Sequence, residues 1–187
     1  MDSIVAMKFC NSCGSPLEWR IPGGDTVPRH VCGACQNVHY LNPKIVVGCL
    51  PIWEGRRVLL CKRAIEPRYG FWTPPGGYME NGETVEQGSL RETAEEANAT
   101  VELGDLHAVY SVPHIGQVFL FFLAELKNLD FSPGVESLDV RLFAEEEIPW
   151  DEIAFNSARF ALERFFGDLK TGRTSGPPHM GQFVRGL

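Results

Sequence analysis

Apolar residues along the chain come in short runs separated by polar and turn-forming residues. Residues 45–52 (IVVGCLPI) and 58–61 (VLLC) are two such runs, and they predict a hairpin of buried strands turning across Glu54 and Gly55. Further strands are predicted at 107–112, 117–126 and 139–143. Two segments read with a helical period. The first spans 84–97, where Thr84 can cap the start, Gln87 sits at the capping-box position, and Asn98 suits a left-handed end. The second spans 156–169, with Phe160, Leu162, Phe165 and Phe166 as its buried side. Between them, 68–82 is rich in Gly, Pro and aromatic residues and predicts a loop. Residues from Thr171 onward read as a flexible tail in which Phe183 could dock. Strands flanked by two helices, with mixed connections, imply an α+β fold, an α/β/α sandwich around a mixed sheet.

Composition narrows the function classes. The 187 residues are 44% hydrophobic and 22% charged, as in an ordinary globular protein. Nineteen glycines and 13 prolines argue against an all-helical bundle. Seventeen Lys and Arg face 24 Asp and Glu, a net charge of −7, which weighs against nonspecific nucleic-acid binding. An acidic protein that handles a phosphorylated substrate must offset repulsion locally, and a divalent cation is the usual means. Residues 1–7 do not read as a signal or transit peptide. The most apolar run, 118–123, has strand length and not membrane-span length. A cytoplasmic, reducing location and no membrane partner are the expectation.

Four of the six cysteines precede residue 40, as Cys10-Asn-Ser-Cys13 and Cys32-Gly-Ala-Cys35. Two CxxC turns at this spacing predict a structural Cys₄ zinc site, with His39 a spare neighbour once four thiolates close the shell. Cys49 and Cys61 fall inside predicted strands and read as small core residues. The division expected is therefore a zinc module at 1–40, a main domain at 41–170 and a tail at 171–187. Arg20 and Arg29, with Lys44 just beyond, give the module little basic character. A bracing role or a homodimer contact suits it better than nucleic-acid binding.

The chemistry concentrates in residues 77–99. On a helix of 3.6 residues per turn, Glu92, Glu95 and Glu96 fall within an arc of roughly 100°, with Leu90, Ala94 and Ala97 opposite and expected to face the sheet. Carboxylates so crowded repel one another, and a divalent cation held among them removes the repulsion. Arg91 lies at the edge of the arc, placed to hold Glu83 or Glu95. The pattern Gly77-x₅-Glu83-x₇-Arg91-Glu92-x₂-Glu95-Glu96 resembles the box of the Nudix hydrolases. Thr93 and Ala99 stand where that box has bulky apolar residues, and Asn98 where it has glycine. The resemblance implies that Glu92, Glu95, Glu96 and a backbone carbonyl near Gly77 hold Mg²⁺ or Mn²⁺, while Glu83 and Arg91 orient the ligands. A general base is needed as well: Glu92, Glu95, or a downstream acid, Glu136 or Asp139.

The likeness extends beyond the box. Segments 13–22, 42–50, 59–63 and 133–144 resemble plant chloroplast Nudix hydrolases acting on FAD and ADP-ribose. That implies cleavage of a small nucleotide-type substrate to AMP. Arg63, Arg68 and Arg141 are candidates for phosphate contact. Tyr69 and Tyr78 are candidates for contact with a flat ring, whereas Phe71 and Trp72 read more simply as core. NADH pyrophosphatases also join a Cys₄ ribbon to a Nudix domain, but their Ser-Gln-Pro-Trp-Pro-type array has no counterpart in 113–119 (PHIGQVF). A nucleotide-sensing regulator that binds nucleic acid is the reading from another class, and the intact glutamate set opposes it.

Overall fold

The computed structural model describes residues 7–183. Most of the segment read for a leader, and 184–187 of the expected tail, therefore lie outside the described residues. Two compact units are present, one formed by 7–43 with 114–116 and the other by the remaining residues. The first unit carries an antiparallel sheet of β1 (Leu17–Arg20), β2 (Arg29–Cys32) and β3 (Val38–His39), in that order. Its buried side chains are few: Cys10, Pro22, Val31 and Cys32, with His30 and His39 paired across β2 and β3. So little apolar mass does not hold a fold of this size without a covalent or metal staple.

The second unit runs β4 (Lys44–Trp53), β5 (Arg57–Arg63), β6 (Trp72–Thr73), β7 (Gly76–Tyr78), α1 (Val85–Ala97), β8 (Val101–Val112), β9 (Gln117–Leu126), β10 (Ser137–Phe143), α2 (Asn156–Thr171) and β11 (His179–Gln182). The strand order is β10-β5-β4-β9-β8-β11, with β6 on β5 and β7 on β4. Two pairings, β4 with β9 and β8 with β11, are parallel, so the sheet is mixed. Glu54 and Gly55 both take positive φ, 50° and 70°, which makes the tight turn between β4 and β5. Those strands pair only at Ile52↔Val58 and Trp53↔Arg57. Beyond that they part. The early half of β4 takes β7 at Val46–Gly48, and β5 takes β6 at Cys61 and Lys62. The sheet therefore opens between β4 and β5, and short strands line both sides of the opening.

Each face of the sheet is covered. Leu50, Leu60, Trp72 and Phe121 pack with Leu162, Phe165 and Phe166 of α2, and Phe160 lies partly buried beside them. On the other face Leu59, Cys61 and Val140 join Ala97 at the end of α1. Among the described residues no helix is long and apolar enough to cross a membrane.

Three features differ from expectation. Leu90 and Ala94 face outward, and α1 instead buries Gly88, Ser89, Thr93, Glu96 and Ala97. A polar stripe can face inward because its hydroxyls are satisfied locally. Ser89 donates to the Val85 carbonyl at 2.8 Å, and Thr93 to the Ser89 carbonyl at 2.8 Å, with the Cys49 thiol at 2.8 Å from the same hydroxyl. Next, β8 begins at Val101, not at residue 107. Its register shifts between Leu103 and Leu106 and again between Leu106 and Ala108, which breaks the alternation a strand normally shows. Finally, the segment read as a tail places β11 beside β8. This strand is His-Met-Gly-Gln and carries no apolar alternation to announce it.

Candidate active site

The helix α1 is fixed at both ends. Thr84 accepts from the Gln87 N–H at 3.2 Å, and Gln87 returns a bond from the Thr84 N–H at 2.9 Å. Asn98 closes the other end in the left-handed region at φ 47°, ψ 30°. Between these caps the carboxylates differ sharply in burial. Glu96 is 7% exposed, while the side chain of Glu92 is 12% and that of Glu95 60% exposed. Glu96 points to the β7 turn and accepts the Gly76 N–H at 3.1 Å. Glu92 lies against Gly77, where a Cβ would stand 2.5 Å from both carboxylate oxygens. A side chain there would push the Glu92 carboxylate aside. Glu92 and Glu96 thus meet at Gly76 and Gly77, beside the opening between β4 and β5, while Glu95 stays outside on Arg91.

Arg91 ties this group together. Its Nε and Nη2 grip Glu83 in a two-point bond at 3.0 and 2.8 Å. Nη2 also donates to the Tyr78 carbonyl at 3.1 Å, and Nη1 reaches Glu92 at 2.6 Å and Glu95 at 3.0 Å. A planar guanidinium with several fixed donors can do this, and an ammonium cannot. Arg91 and the Glu80 N–H hold the Glu83 carboxyl down to about 2. Burial pushes Glu96 the other way, to about 7, against the Gly76 N–H, and the charge on Glu92 adds to the rise. Burial raises Glu92 too, against the pull of Arg91. Glu92 and Glu96, discouraged from ionising chiefly by burial, are a hard-oxygen donor pair that suits a divalent cation.

In the first unit, Cys10 and Cys35 sulfurs are 3.6 Å apart and Cys13 and Cys32 sulfurs 3.5 Å. All four lie within 4.8 Å of one another. A disulfide needs about 2.05 Å, whereas tetrahedral Zn–S bonds of about 2.3 Å set sulfurs roughly 3.8 Å apart. The Ser12 N–H donates to Cys10 and the Cys35 N–H to Cys32, both at 3.4 Å, as thiolate ligands require. The His39 Nε2 is 3.3 Å from the Cys10 sulfur, beside the cluster and outside it.

Two family models match the chain, one following directly on the other. One, described as the Nudix N-terminal zinc ribbon, covers 8–41, and the other, the NUDIX domain, covers 42–163. The chain belongs to the Nudix hydrolase family. The NAD-capped RNA hydrolase NudC of Stutzerimonas stutzeri is 31% identical over 176 residues, which are 91% of this chain and 58% of that protein. The ADP-ribose pyrophosphatase of Methanocaldococcus jannaschii is 29% identical over 123 residues, 63% of this chain and 70% of that one. This chain thus spans little more than half the length of the NudC relative. The crystal structure of a NUDIX hydrolase from Nitrosomonas europaea has a TM-score of 0.88 at 54% identity, covering 95% of this chain and 99% of that one.

The remaining expected residues of this Nudix hydrolase scatter in role. Glu136 is exposed, on the loop leading into β10, close enough for its charge to raise Glu92 and Glu96. Asp139 is taken up by Arg141 at 2.5 Å and by the Val140 N–H at 2.9 Å. Arg63 is buried; it donates to the Pro67 carbonyl at 2.9 Å and lies over the Phe155 ring, so it braces the loop beneath β5. Its charge also lies close enough to Glu96 to pull that carboxyl down. Arg68 lies over Phe71, and Tyr69 is exposed on the same loop. Tyr78 is 51% exposed and follows Gly77 directly. Trp72 is core, against Phe143. Two participants went unread. Gly76 supplies the N–H to Glu96. Gly134 donates to the Glu96 carbonyl at 3.0 Å, and a Cβ there would come within 1.7 Å of the Glu95 carbonyl. The sequence signal for Gly134 was a Pro-Gly pair, which reads as a turn and says nothing of the helix end it seals.

Proposed function

We propose that this Nudix hydrolase cleaves the diphosphate of an ADP-linked substrate, ADP-ribose or a nicotinamide dinucleotide, with release of AMP. One observation supports the chemistry above others: Glu92 and Glu96 meet at the Gly76–Gly77 turn, and Arg91 ties Glu92 to Glu95 and Glu83 beside them. In this reading Glu92, Glu95, Glu96 and the Gly77 carbonyl hold Mg²⁺ or Mn²⁺. When bound, such a cation would offset the charge of the diphosphate and lower the pKa of the attacking water. Water forms the new P–O bond, the bridging P–O bond breaks, and the water's proton passes to a carboxylate. Glu136 is the base proposed, since its carboxylate is near the cluster and no described ion pair engages it, unlike Asp139. Arg91 and Glu83 keep the ligands in place and touch no substrate. Tyr78 and Tyr69 offer ring contacts, and Arg68 a positive charge on the same loop as Tyr69.

The activities of the relatives support ADP-ribose and NAD-type substrates. FAD rests on sequence resemblance alone and ranks below them. The NAD-type reading draws on the NudC relative, even though 113–119 lacks the aromatic array noted above. A nucleic-acid-binding regulator is disfavoured by the complete carboxylate set and the charge of −7.

AMP release from ADP-ribose, NADH and FAD, with Mg²⁺ or Mn²⁺, tests the proposal. Turnover of ADP-ribose or NADH is expected, with loss of at least about 10²-fold in Glu96→Gln. No turnover of any of the three would sink it. Near-normal activity of Glu96→Gln would remove the metal assignment.

A further inference from the structure

Strand register lines up five residues across the sheet: Tyr78 opposite Val46, Val46 opposite Phe119, Phe119 opposite Tyr110, and Tyr110 opposite Gly181. Directly paired residues share a sheet face, so these side chains form one transverse row. The row lies on the face that α2 covers. Phe119 packs against the α2 cluster, and the Tyr110 ring is 5.2 Å from that of Phe160. The neighbouring row is Gly76, Gly48, Phe121, Ala108 and His179, so small residues lie beside the aromatic ones. The row begins next to Gly77. There the Tyr78 hydroxyl takes a bond from the Gln117 amide at 2.6 Å, and Lys44 sits 5.1 Å from the ring centre. It is an aromatic platform whose open end is the exposed Tyr78; Val46 and Phe119 are half-buried and Tyr110 is buried, backing the row from its far end.

Its far end is made by β11. A Cβ on Gly181 would stand 2.6 Å from Tyr110 Cδ2 and 2.8 Å from Phe160 Cζ, so the strand backbone rests directly on both rings. The strand is fastened at each end. The Phe183 N–H donates to the Ser111 carbonyl at 2.9 Å. At the other end His179 Nε2 meets Asp168 at 2.8 Å, and Arg173 Nη1 is 2.7 Å from the same nitrogen while its Nη2 donates to the Pro177 carbonyl. His107, Asp168 and His179 bring possible metal-ligand atoms within 4.8 Å. The guanidinium of Arg173 stands among them, which makes the group an ionic clasp and not a cation site.

We propose that β11 is a specificity element of the hydrolase: it fixes Tyr110 and Phe160 and closes an aromatic platform that receives a planar ring of the substrate. Asp168, Arg173 and His179 are positioning residues that hold the strand. This rests on the nucleotide hydrolysis proposed above. Ring contacts made equally in ground and transition states change KM and leave kcat alone.

The test uses the full chain with its zinc, assayed with ADP-ribose and Mn²⁺. Gly181→Ala pushes a methyl into the two rings, Arg173→Ala opens the clasp, and Arg173→Lys restores its charge. The first two are expected to raise KM roughly tenfold, about what one aromatic contact contributes. Expected alongside are kcat within about twofold, an unchanged Mn²⁺ requirement and partial KM recovery in Arg173→Lys. If Arg173→Ala does not fold, Gly181→Ala decides. A wild-type KM in Gly181→Ala, or a fall in kcat with KM unmoved, overturns the proposal while wild-type turnover keeps the hydrolase reading. A wild-type chain that turns over no dinucleotide overturns the hydrolase reading itself and takes this one with it.

Discussion

At the scale of single residues, the site depends on space as much as on charge. Gly77→Ala would place a methyl against the Glu92 carboxylate, 2.5 Å from each oxygen. Glu92 must then leave its seat. The expected result is a loss of about 10²-fold in kcat/KM, with a raised Mn²⁺ requirement and little change in melting temperature, since the turn itself is half-exposed. Steady-state kinetics across a Mn²⁺ titration, beside a thermal melt, check all three. Glu83 gives a second prediction, with a sign set by its titration. Its carboxyl is held at about 2 in the folded chain, against an ordinary value of 4.5. A depressed folded value means that the stabilisation is present above 4.5 and drains away as pH falls toward 2. The melting temperature of wild type should therefore exceed that of Glu83→Gln by a constant amount above about pH 5 and converge with it below. A gap that persists unchanged at pH 2 would mean that the Glu83 pair with Arg91 does not contribute through its charge.

At the scale of elements, α1 shows what pattern can and cannot convey. Its caps were legible: Thr84, Gln87 and Asn98 act as read, because capping is local chemistry written in adjacent residues. Thr84→Ala should cost about 1 kcal/mol, a fall of roughly 2–4 °C in a thermal melt of a chain this long. The orientation of α1 was not legible. Periodicity assigns the apolar side inward, but this helix has few apolar residues, and Ser89 and Thr93 bury at no cost because their hydroxyls bond to the preceding turn. That inward stripe carries Glu96 into the interior, so the rotation that was misread also sets the order of burial among the carboxylates. Similarly, β11 was illegible because main-chain pairing and the Asp168–His179 contact hold it, and neither leaves an apolar period. The loop before β10 acts on α1 from outside. Gly134→Ala would drive a methyl into the Glu95 carbonyl and shift Glu136. If Glu136 is the base, kcat should drop about tenfold or more with Mn²⁺ affinity retained, and an unchanged kcat would count against that assignment.

At the scale of the whole molecule, the six cysteines divide by what holds them. Cys49 and Cys61 lie in the interior of the sheet unit, and burial pushes the Cys49 thiol up to about 12, with Cys61 raised for the same reason. A thiol that is both buried and protonated does not attack a disulfide reagent. The other four belong to a unit whose own apolar core is too small to fold it, so its order comes from the metal. Zinc withdrawal should then release those thiols by unfolding the module, because its ligands and its core are the same residues. At pH 8, a chelator strong enough to remove zinc should make four thiols react with a disulfide reagent, and the remaining two should react only when denaturant is added. Zinc release should track the first four, at one ion per chain. If all six reacted together, the sheet unit would have opened along with the ribbon. If none reacted until denaturant was added, the cysteine module would be holding itself together without zinc, and the sulfur separations of 3.5–3.6 Å would need another explanation.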